Sequence, residues 1–366
     1  MGLSVLVAGG GTGGHLYPGI AVARELVSRM RGAEVTFVGT AAGIEARVLP
    51  REGFALEVIR SAGLKGRSFQ SLIRGIALLP ISAVDAWRVI SRRRPSVVVG
   101  VGGYSSGPVM VLAALRGIPT LLMEQNAIPG VTNRLLAPVV DTAAVTYQGS
   151  VRFFGRKALL SGNPVRPEFF SSPPLEDGMH TYDEQSSRVV RVLVFGGSQG
   201  AHAINVAMAE AAARLASGIP RLAITHQTGE QDLEMVRSAY ERAGLKARVE
   251  SFLFAMDREM KATDLAVCRA GSTTLAELAA TGRASILVPL PNATDDHQRK
   301  NALAVAARGA ARIVEQHELD GDRIGAEILT LAGDSNLRRT MEEAAKEWAR
   351  PDAARVIVDE VLALAR

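Results

Sequence analysis

The sequence predicts an α/β protein with two Rossmann-like domains, each built on a doubly wound parallel sheet. Its 366 residues are typical of two domains. Short apolar runs alternate with helical patterns, as they do in parallel α/β folds. One strand–glycine loop–helix sequence occurs twice: VLVAGGGTGGH at 5–15 and VLVFGGSQGAH at 192–202 are identical at seven of eleven positions. We expect the two domains to face each other across a cleft lined by both loops.

The elements follow from the apolar runs and the glycines that end them. LSVLVA at 3–8 is the first strand, and the helical pattern after its glycine loop extends from Tyr17 to Arg29. Further strands are predicted at 34–39, 96–101, 119–123, 142–146, 221–226, 247–251, 264–268 and 284–289. Residues 336–366 have a helical pattern.

The domain boundary is predicted from composition. Prolines, serine pairs and acidic residues concentrate at 162–190, which is typical of a linker. We expect an N-terminal domain at 1–163 and a C-terminal domain at 164–350. We expect a last helix at 351–366 to pack back on the N-terminal domain.

Charge is distributed unevenly along the chain. Residues 1–165 carry 18 Lys and Arg against 8 Asp and Glu, whereas the whole chain has a net charge of only +5. A basic half favours an anionic partner, either nucleic acid or an acidic membrane surface. The aromatic content of 5% argues against nucleic-acid stacking. The single cysteine, Cys268, excludes a disulfide framework and cysteine-cluster metal sites. Without a secretory signal or a long apolar run, we expect a cytoplasmic protein.

The glycine loops indicate a phosphate ligand. A glycine loop between a strand and a helix presents amide N–H groups to an anion, although a tight turn that binds nothing is the alternative. Neither repeated loop has the acidic residue that follows G-x-G-x-x-G in nicotinamide-binding domains, and neither ends in the G-K-[ST] of a P-loop. A third cluster, GVGGYSSGP at 100–108, also follows a strand.

Polar residues follow other strands. Glu124-Gln125-Asn126 suits a sugar or its acceptor, with a solvated loop as the alternative. In CRAGSTT at 268–274, Ser272 or Thr273 would cap the next helix. Glu277 in that helix could accept both hydroxyls of a ribose, or stabilise the helix start by its charge. Asp320-Gly321-Asp322 is interpreted as a surface turn, so no metal site is expected.

Seven motifs in order carry a family resemblance: GGTGGH, GVGGYSSGP, EQN, GNPVR at 162–166, GGSQGA, CRAGSTTLAEL and DDHQ followed by NA. Over nearly the whole chain they resemble the MurG family, the UDP-N-acetylglucosamine: undecaprenyl-diphosphoryl-muramoyl-pentapeptide N-acetylglucosaminyltransferases. The resemblance implies a GT-B fold whose C-terminal domain holds the nucleotide sugar and whose N-terminal domain holds the lipid acceptor. Two departures are Met123, where the family more often has His, and a longer linker at 171–188.

The resemblance also implies a reaction: inverting transfer of GlcNAc to the C4 hydroxyl of undecaprenyl-diphosphoryl-MurNAc-pentapeptide, the conversion of lipid I to lipid II in peptidoglycan synthesis. No metal or other cofactor is required. Glu277 would hold the ribose, and the backbone around Phe252-Leu253 the uracil. The residues implied to contact UDP-GlcNAc are Thr12, Gly13, Gly14, Asn126, Arg166, Ser198, Leu253, Ser272, Thr273, Glu277 and Gln298.

Transfer needs a base for the attacking hydroxyl and stabilisation of the departing UDP. We interpret His15 as the candidate general base because histidine titrates near neutrality, with a structural or acceptor-positioning role as the alternative. Arg166 and the helix-end amides near Ser198 would stabilise UDP. His202, the equivalent residue of the second loop, is assigned a structural role.

A basic amphipathic stretch at 65–94 is interpreted as a membrane patch, with an ordinary core helix as the alternative. Its residues include Arg74, Leu79, Ile81, Trp87, Arg92 and Arg93. We therefore expect a peripheral protein on the cytoplasmic face of the bacterial plasma (inner) membrane. Besides its two substrates, the expected partners are the anionic membrane surface and other cell-wall synthesis proteins, and not nucleic acid.

Three rival functions are compatible with the same motifs. The first is another GT-B UDP-sugar transferase with a different lipid acceptor. The second is an enzyme similar to UDP-GlcNAc 2-epimerase, which would release UDP without any acceptor. The third is a non-catalytic nucleotide-sugar-binding scaffold on the membrane, which would bind UDP-GlcNAc without turnover.

Overall fold

The computed structural model describes residues 2–61, 69–171, 189–197, 200–219, 221–291 and 293–366, with only the backbone described at 69–77 and 294. The chain divides into two compact units. The first unit comprises residues 1–166 together with 350–366, and the second unit comprises residues 167–349.

Strands and helices alternate along the first unit. Its elements are β1 (Ser4–Gly9), α1 (Gly13–Arg29), β2 (Glu34–Gly39), α2 (Glu45–Glu52), β3 (Ala55–Val58), α3 (Phe69–Arg93), β4 (Val97–Gly102), α4 (Ser106–Leu115), β5 (Thr120–Glu124), α5 (Val131–Leu136), β6 (Thr142–Val145), α6 (Val151–Phe154) and β7 (Ala158–Leu160). The seven strands form one parallel sheet in the order β3-β2-β1-β4-β5-β6-β7.

Two core layers cover this sheet, one on each face. Val5 and Val7 of β1 pack into a cluster with Leu16 and Ile20 of α1, whereas Leu6 of β1 packs into a different cluster with Met110 of α4. Successive side chains of a strand point to opposite faces, so a strand that is apolar at every position must be covered on both sides. The continuous apolar runs read from the sequence therefore produce a doubly wound sheet.

The second unit repeats this plan. Its elements are β8 (Val190–Phe195), α7 (His202–Glu210), α8 (Ala212–Gly218), β9 (Leu222–Gln227), α9 (Leu233–Arg242), β10 (Ala247–Glu250), α10 (Met256–Lys261), β11 (Leu265–Cys268), α11 (Ser272–Thr281), β12 (Ala284–Leu287), α12 (His297–Ala306), β13 (Ala311–Ile313), α13 (Gly321–Gly333) and α14 (Ser335–Trp348). Six parallel strands are ordered β10-β9-β8-β11-β12-β13. The predicted class, two α/β domains with parallel sheets, is confirmed.

The last helix, α15 (Ala353–Leu364), belongs to the first unit. Ile357, Val358 and Val361 are buried in the same cluster as Val5 and Val7 of β1. At the surface, the Arg29 guanidinium lies 2.7 Å from the Asp359 carboxylate. The chain therefore completes its first domain with its last helix.

The structure differs from the sequence predictions in two respects. Helix α1 begins at Gly13, earlier than the predicted Tyr17, because Pro18 is accommodated inside the helix. The sequence patterns also missed β3, β7 and β13, which are three or four residues long. Within the part of the chain that the structure describes, no helix is both long enough and apolar enough to span a membrane.

Candidate functional site

In the first unit, the loops after β1 and β4 are in close contact. A Cβ atom on Gly9 would lie 2.2 Å from the carbonyl oxygen of Gly102, and one on Gly103 would lie 2.6 Å from that of Gly10. Both positions have positive φ, which disfavours other residues independently of space. The structure thus brings the first and third predicted glycine clusters together at the carboxyl ends of neighbouring strands.

His15 lies in the first turn of α1, directly against Gly102. A Cβ atom on Gly102 would lie 2.7 Å from His15 Nδ1. Nδ1 is 3.3 Å from Oε1 of buried Gln125, whose Nε2 donates to the carbonyl of Val101 at 3.0 Å. Because the amide donor is engaged by Val101, the amide oxygen faces the ring and favours a proton on Nδ1. The basic lone pair of neutral His15 then resides on Nε2.

The Glu-Gln-Asn trio has a different organisation from the predicted ligand-binding row. Glu124 is 2% exposed, and its carboxylate accepts from the backbone and side-chain N–H groups of Asn126, from Gly130 N and from Asn133 Nδ2, at 2.8–3.2 Å. Burial raises the pKa of Glu124, while these donors lower it. Glu124 and Gln125 therefore support the loop from inside, whereas Asn126 is half-buried.

Glu45 was missed by the sequence analysis. It begins α2 and is 1% exposed, and its carboxylate accepts from Gly11 N at 2.8 Å and from both N and Oγ1 of Thr40 at 2.8 and 3.1 Å. A Cβ atom on Gly10 would lie 2.7 Å from this carboxylate. Glu45 therefore connects the glycine loop to the end of β2.

The remaining predicted residues of the first unit lie at the start of α1. Thr12 is the N-cap residue, and Gly13 and Gly14 open the helix. The half-buried Arg166 places its guanidinium 5.0 Å from the ring centroid of Tyr17, also in α1. This end of α1 thus gathers amide N–H groups, a cation and His15.

In the second unit, the glycine loop after β8 is held by the end of β9. A Cβ atom on Gly200 would lie 1.8 Å from the carbonyl oxygen of Thr228. The carbonyl of Gly197 accepts from Gly200 N at 3.0 Å and from Gln227 Nε2 at 2.6 Å. The Gln227 Oε1 atom accepts from Leu253 N at 2.9 Å, which brings that predicted residue beside the loop. Ser198, predicted to bind phosphate, lies outside the described residues.

The predicted cap of α11 is wrong. Gly271 is the N-cap residue, and Ser272 is already the first helical residue, so neither Ser272 nor Thr273 occupies the cap position. Ser272 and Glu277 are mostly buried, and Thr273 is half-buried. In the preceding strand, burial raises the pKa of the Cys268 thiol, which is consequently a packing residue and not a nucleophile.

Gln298 lies in the first turn of α12, where its Oε1 accepts from Leu290 N at 3.0 Å. The two residues before this helix, Asp295 and Asp296, have φ values of 55° and 56°, a left-handed conformation that costs energy outside glycine. Beside Gln298, a groove of about 530 Å³ is lined by Pro289, Leu290, Pro291, Asp296, Arg299, Glu315, Gln316 and His317.

Behind the second glycine loop, a polar network extends from the surface into the core. His202 Nδ1 lies 2.9 Å from Asp232, which also accepts from Asn205 Nδ2 at 2.7 Å. The amide oxygen of Asn205 is 3.0 Å from Nε2 of His226, whose Nδ1 is 2.8 Å from the Tyr240 hydroxyl. The contacts of His202 agree with the structural role assigned to it.

Acid should destabilise the second unit through His226. Burial lowers the pKa of His226 to about 3, below the ~6.5 of an unfolded chain, so the unfolded chain binds the proton first. Its contribution to the free energy of unfolding is therefore complete above about pH 6.5 and decreases by about 1.4 kcal/mol per pH unit as the pH falls from there toward 3. Urea unfolding at a series of pH values should show a shallower acid dependence in His226→Gln, but not in the control His317→Gln. Equal slopes in all three proteins would assign the acid sensitivity to other groups.

The predicted membrane patch is partly exposed and partly ion-paired. Leu79, Ile81 and Trp87 are exposed, whereas Arg92 and Arg93 both pair with Glu57, and Arg93 also lies 3.0 Å from Glu34. The side chain of Arg74 lies outside the described residues. Helix α4 adds features that the sequence did not indicate: Leu115 is 77% exposed, and the Arg116 guanidinium lies 4.6 Å from the ring centroid of Trp87.

Among the described residues, no group of three or more His, Cys, Asp or Glu side chains could hold a metal ion. The D-x-D sequence has a structural use, because the Asp320 carboxylate caps α13 by accepting from Arg323 N at 2.7 Å. Both aspartates are at the surface, as the sequence suggested, but they cap and begin a helix and do not form a turn.

Comparisons with known proteins match both halves of the chain to the same family. Residues 5–145 match the glycosyltransferase family 28 N-terminal domain, and residues 191–357 match the glycosyltransferase family 28 C-terminal domain. A Pelobacter propionicus protein is 46% identical, and the alignment covers 98% of this chain and 99% of that protein. A Myxococcus xanthus protein is 45% identical, with 98% and 92% covered. Both are named UDP-N-acetylglucosamine–N-acetylmuramyl-(pentapeptide) pyrophosphoryl-undecaprenol N-acetylglucosamine transferase.

Solved structures of related proteins have the same fold. The crystal structure of Acinetobacter baumannii MurG superposes with a TM-score of 0.79 at 29% identity and 99% coverage of both chains. UDP-GlcNAc 2-epimerase from Neisseria meningitidis has a TM-score of 0.68 at 12% identity, covering 99% of this chain and all of that one, which is a likeness of fold alone. The GT-B architecture expected from the motifs is thereby confirmed.

Proposed function

This chain belongs to glycosyltransferase family 28, and we propose that it transfers N-acetylglucosamine from UDP-N-acetylglucosamine to the C4 hydroxyl of undecaprenyl-diphosphoryl-N-acetylmuramyl-pentapeptide, inverting the anomeric centre. The observation that carries the proposal is end-to-end similarity to named transferases of this reaction, at 46% identity. Such a transfer needs amide groups that bind phosphate and a general base. The two glycine loops and the His15–Gln125 pair would provide them.

We assign the nucleotide sugar to the second unit. The glycine loop at 196–201 opens α7, so its amide N–H groups and the helix dipole favour a diphosphate. As the anomeric bond breaks, negative charge develops on this diphosphate and is stabilised by groups already oriented toward it. Glu277 in the middle of α11 holds the ribose hydroxyls, and the Leu253 backbone holds the uracil. Gln298 and the Ser272–Thr273 pair complete the sugar site.

We assign the lipid acceptor and the general base to the first unit. The Nε2 atom of His15 accepts the proton of the C4 hydroxyl, the hydroxyl oxygen forms the new bond to the anomeric carbon, and UDP departs with the electron pair of the old bond. General-base catalysis of this kind contributes about 10²–10⁴-fold to a rate. Gln125 serves the reaction indirectly, because it holds the ring with Nδ1 turned inward.

The decisive experiment is incubation with labelled UDP-GlcNAc and a short-chain lipid-linked muramoyl-pentapeptide. We expect label in the acceptor, with UDP released only when acceptor is present. Release of UDP without acceptor would instead indicate an epimerase-like activity. Binding of UDP-GlcNAc without turnover would indicate a scaffold, and transfer only to another lipid would indicate a different acceptor class.

We propose that the enzyme acts without a bound metal. The helix-end amides at the start of α7 supply positive charge of the kind that a divalent ion would otherwise provide to the diphosphate. Initial rates should therefore be the same with and without a strong chelator. Loss of activity under chelation, restored by Mn²⁺, would contradict this proposal.

We propose that the first unit binds the cytoplasmic face of the plasma membrane peripherally, which suits an acceptor with a long isoprenoid tail. Leu79, Trp87 and Leu115 form exposed apolar surface on α3 and α4, with Arg88 and Arg116 exposed beside them. Apolar side chains of this kind enter the headgroup region, while each basic residue contributes about 1 kcal/mol of attraction to anionic lipid. The acidic leaflet, and not nucleic acid, is the anionic partner, and other cell-wall synthesis proteins are further candidates.

Vesicle binding tests this surface. We expect tight binding to phosphatidylglycerol vesicles, weakened by salt because exposed charges are screened. The double variant Trp87→Ser/Leu115→Ser should bind at least tenfold more weakly, and neutralising the exposed Arg88 and Arg116 should also reduce binding. Leu303→Ser is the control, since Leu303 is also exposed but lies in the second unit. Equal binding to neutral and anionic vesicles would argue against the electrostatic component.

A further inference from the structure

We infer that Gln227 couples the diphosphate loop of the second unit to the segment that recognises the base, and thereby sets the nucleotide specificity of the enzyme. The inference rests on the proposed function, which assigns a UDP-sugar to this unit. Gln227 is the last residue of β9 and is 2% exposed. Its amide donates to the carbonyl of Gly197 at 2.6 Å and accepts from the amide of Leu253 at 2.9 Å.

The two contacts need a side-chain amide. In one planar group, Gln227 offers a donor to a carbonyl and an acceptor to an N–H. A glutamate of the same length has two acceptors and no donor, so it would place negative charge against the Gly197 carbonyl. A methionine of similar length would fill the space without either hydrogen bond. Glutamine is therefore needed at this position for its hydrogen-bond donor and acceptor, and not for the volume of its side chain.

At one end of the amide is the turn that begins the diphosphate loop. The Gly197 carbonyl accepts from Gln227 and also from Gly200 N at 3.0 Å, and Gly197 itself has a φ of +94°. A carbonyl that satisfies two donors has a well-defined direction. Displacing Gln227 would therefore remove one of the two hydrogen bonds that hold this turn.

At the other end is the segment after β10. The Leu253 side chain is 7% exposed, whereas its neighbours Phe252 and Phe254 are 42% and 88% exposed, with their rings in edge contact at 4.9 Å between centroids. The hydrogen bond from Leu253 N to Gln227 holds the backbone at Leu253 at a fixed distance from the end of β9. Recognition of a base edge by backbone groups requires such a fixed position.

The strand itself gives the amide little freedom. The preceding residue, His226, points to the opposite face of β9 and is fully buried between Asn205 and Tyr240. Because the strand end is anchored on that face, Gln227 cannot follow a movement of one partner without displacing the other. A ligand that binds at the Gly197 turn through its phosphates should therefore also restrain Leu253.

Binding of ligand pairs tests the coupling. We expect wild-type protein to prefer UDP over CDP, which differ only at the base, and UDP over uridine, which lacks the diphosphate. In Gln227→Met and Gln227→Glu, both preferences should fall at least tenfold, while the exposed control Gln231→Glu keeps both. A fall in only one preference, or in neither, would overturn the coupling. Wild-type protein that fails to bind UDP would contradict the proposed function instead.

Hydrogen exchange on the wild-type protein tests the same inference without relying on a folded variant. Inorganic pyrophosphate, which has no base, should slow exchange of the Leu253 amide at least threefold when it saturates the loop. The same addition should leave Leu253 exchange unchanged in Gln227→Met. If pyrophosphate competes with UDP but leaves Leu253 exchange unaltered in wild-type protein, the coupling does not exist.

Discussion

Replacement of His15 by alanine should lower kcat by about 10²–10⁴-fold, the contribution of a general base, while the KM for the lipid acceptor changes less than tenfold. The reason is the geometry at the start of α1, where Gln125 holds Nδ1 and the ring packs on Gly102. An alanine removes the whole imidazole, so the nitrogen that accepts the proton is lost while Gln125 and Gly102 remain. Steady-state kinetics with UDP-GlcNAc and a short-chain acceptor measure both parameters.

His202→Ala is the matched control, because His202 occupies the equivalent place in the repeated loop. Its Nδ1 is paired with Asp232 on an exposed surface, so the variant should retain kcat within a few-fold. Less than tenfold loss of kcat in His15→Ala, together with a steep rise in the KM for acceptor, would show that His15 positions the acceptor and is not the base.

Gly200→Ala should lower kcat/KM for UDP-GlcNAc by more than about 100-fold, since it forces the diphosphate loop out of place. The new Cβ atom would lie 1.8 Å from the Thr228 carbonyl oxygen and 2.5 Å from its carbon. Thr228 cannot retreat easily, because Asn205 Nδ2 binds its carbonyl at 2.8 Å and its own N–H donates to Glu250 at 3.0 Å. The φ of +75° adds about 1–2 kcal/mol of strain for any residue with a Cβ.

The variant Gly244→Ala separates two effects of Gly200→Ala, which are the steric clash of the new Cβ atom and the backbone strain of a positive φ. Gly244 has a φ of +67°, but no atom lies within 4 Å of its added Cβ. This control should lose only about 1–2 kcal/mol in free energy of unfolding and keep full activity. Urea unfolding and UDP titration of both variants give the comparison. If Gly200→Ala behaves like Gly244→Ala in both measurements, the loop is not held by Thr228.

The sequence predicted the central strands of both sheets because each is a continuous apolar run that ends in glycine or a polar residue. It did not predict the short strands β3, β7 and β13, since ALEV, ALL and ARI carry too few residues to show a period. The start of α1 was placed too late because Pro18 normally marks a helix boundary.

The site was predictable where its residues form local motifs, and not where they act through distant partners. Glu45 supports Gly11, which is 34 positions away, and Gln227 joins Gly197 to Leu253, 30 and 26 positions away. Nothing in the neighbourhood of Gln227 indicates its two partners. The run GTAAG before Glu45 was the available signal, because small residues leave room for a buried side chain.

The number of basic residues in the sequence overestimates the uncompensated positive charge of the first unit. Arg92 and Arg93 contribute to the basic character of the first half, yet both pair with Glu57, a residue of the unpredicted strand β3. Their charge is therefore partly compensated within the unit. For the proposed membrane contact, the exposed Arg88 and Arg116 are better candidates than Arg92 and Arg93.

The placement of α15 has a consequence for biosynthesis. Ile357, Val358 and Val361 complete the apolar layer that begins with Val5 and Val7, so the domain translated first is finished last. While the ribosome is still producing residues 167–349, the nascent amino-terminal half exposes an apolar surface that α15 has not yet covered. A chain in this state is prone to aggregation. We therefore expect chaperones to engage this polypeptide until its final helix emerges from the exit tunnel.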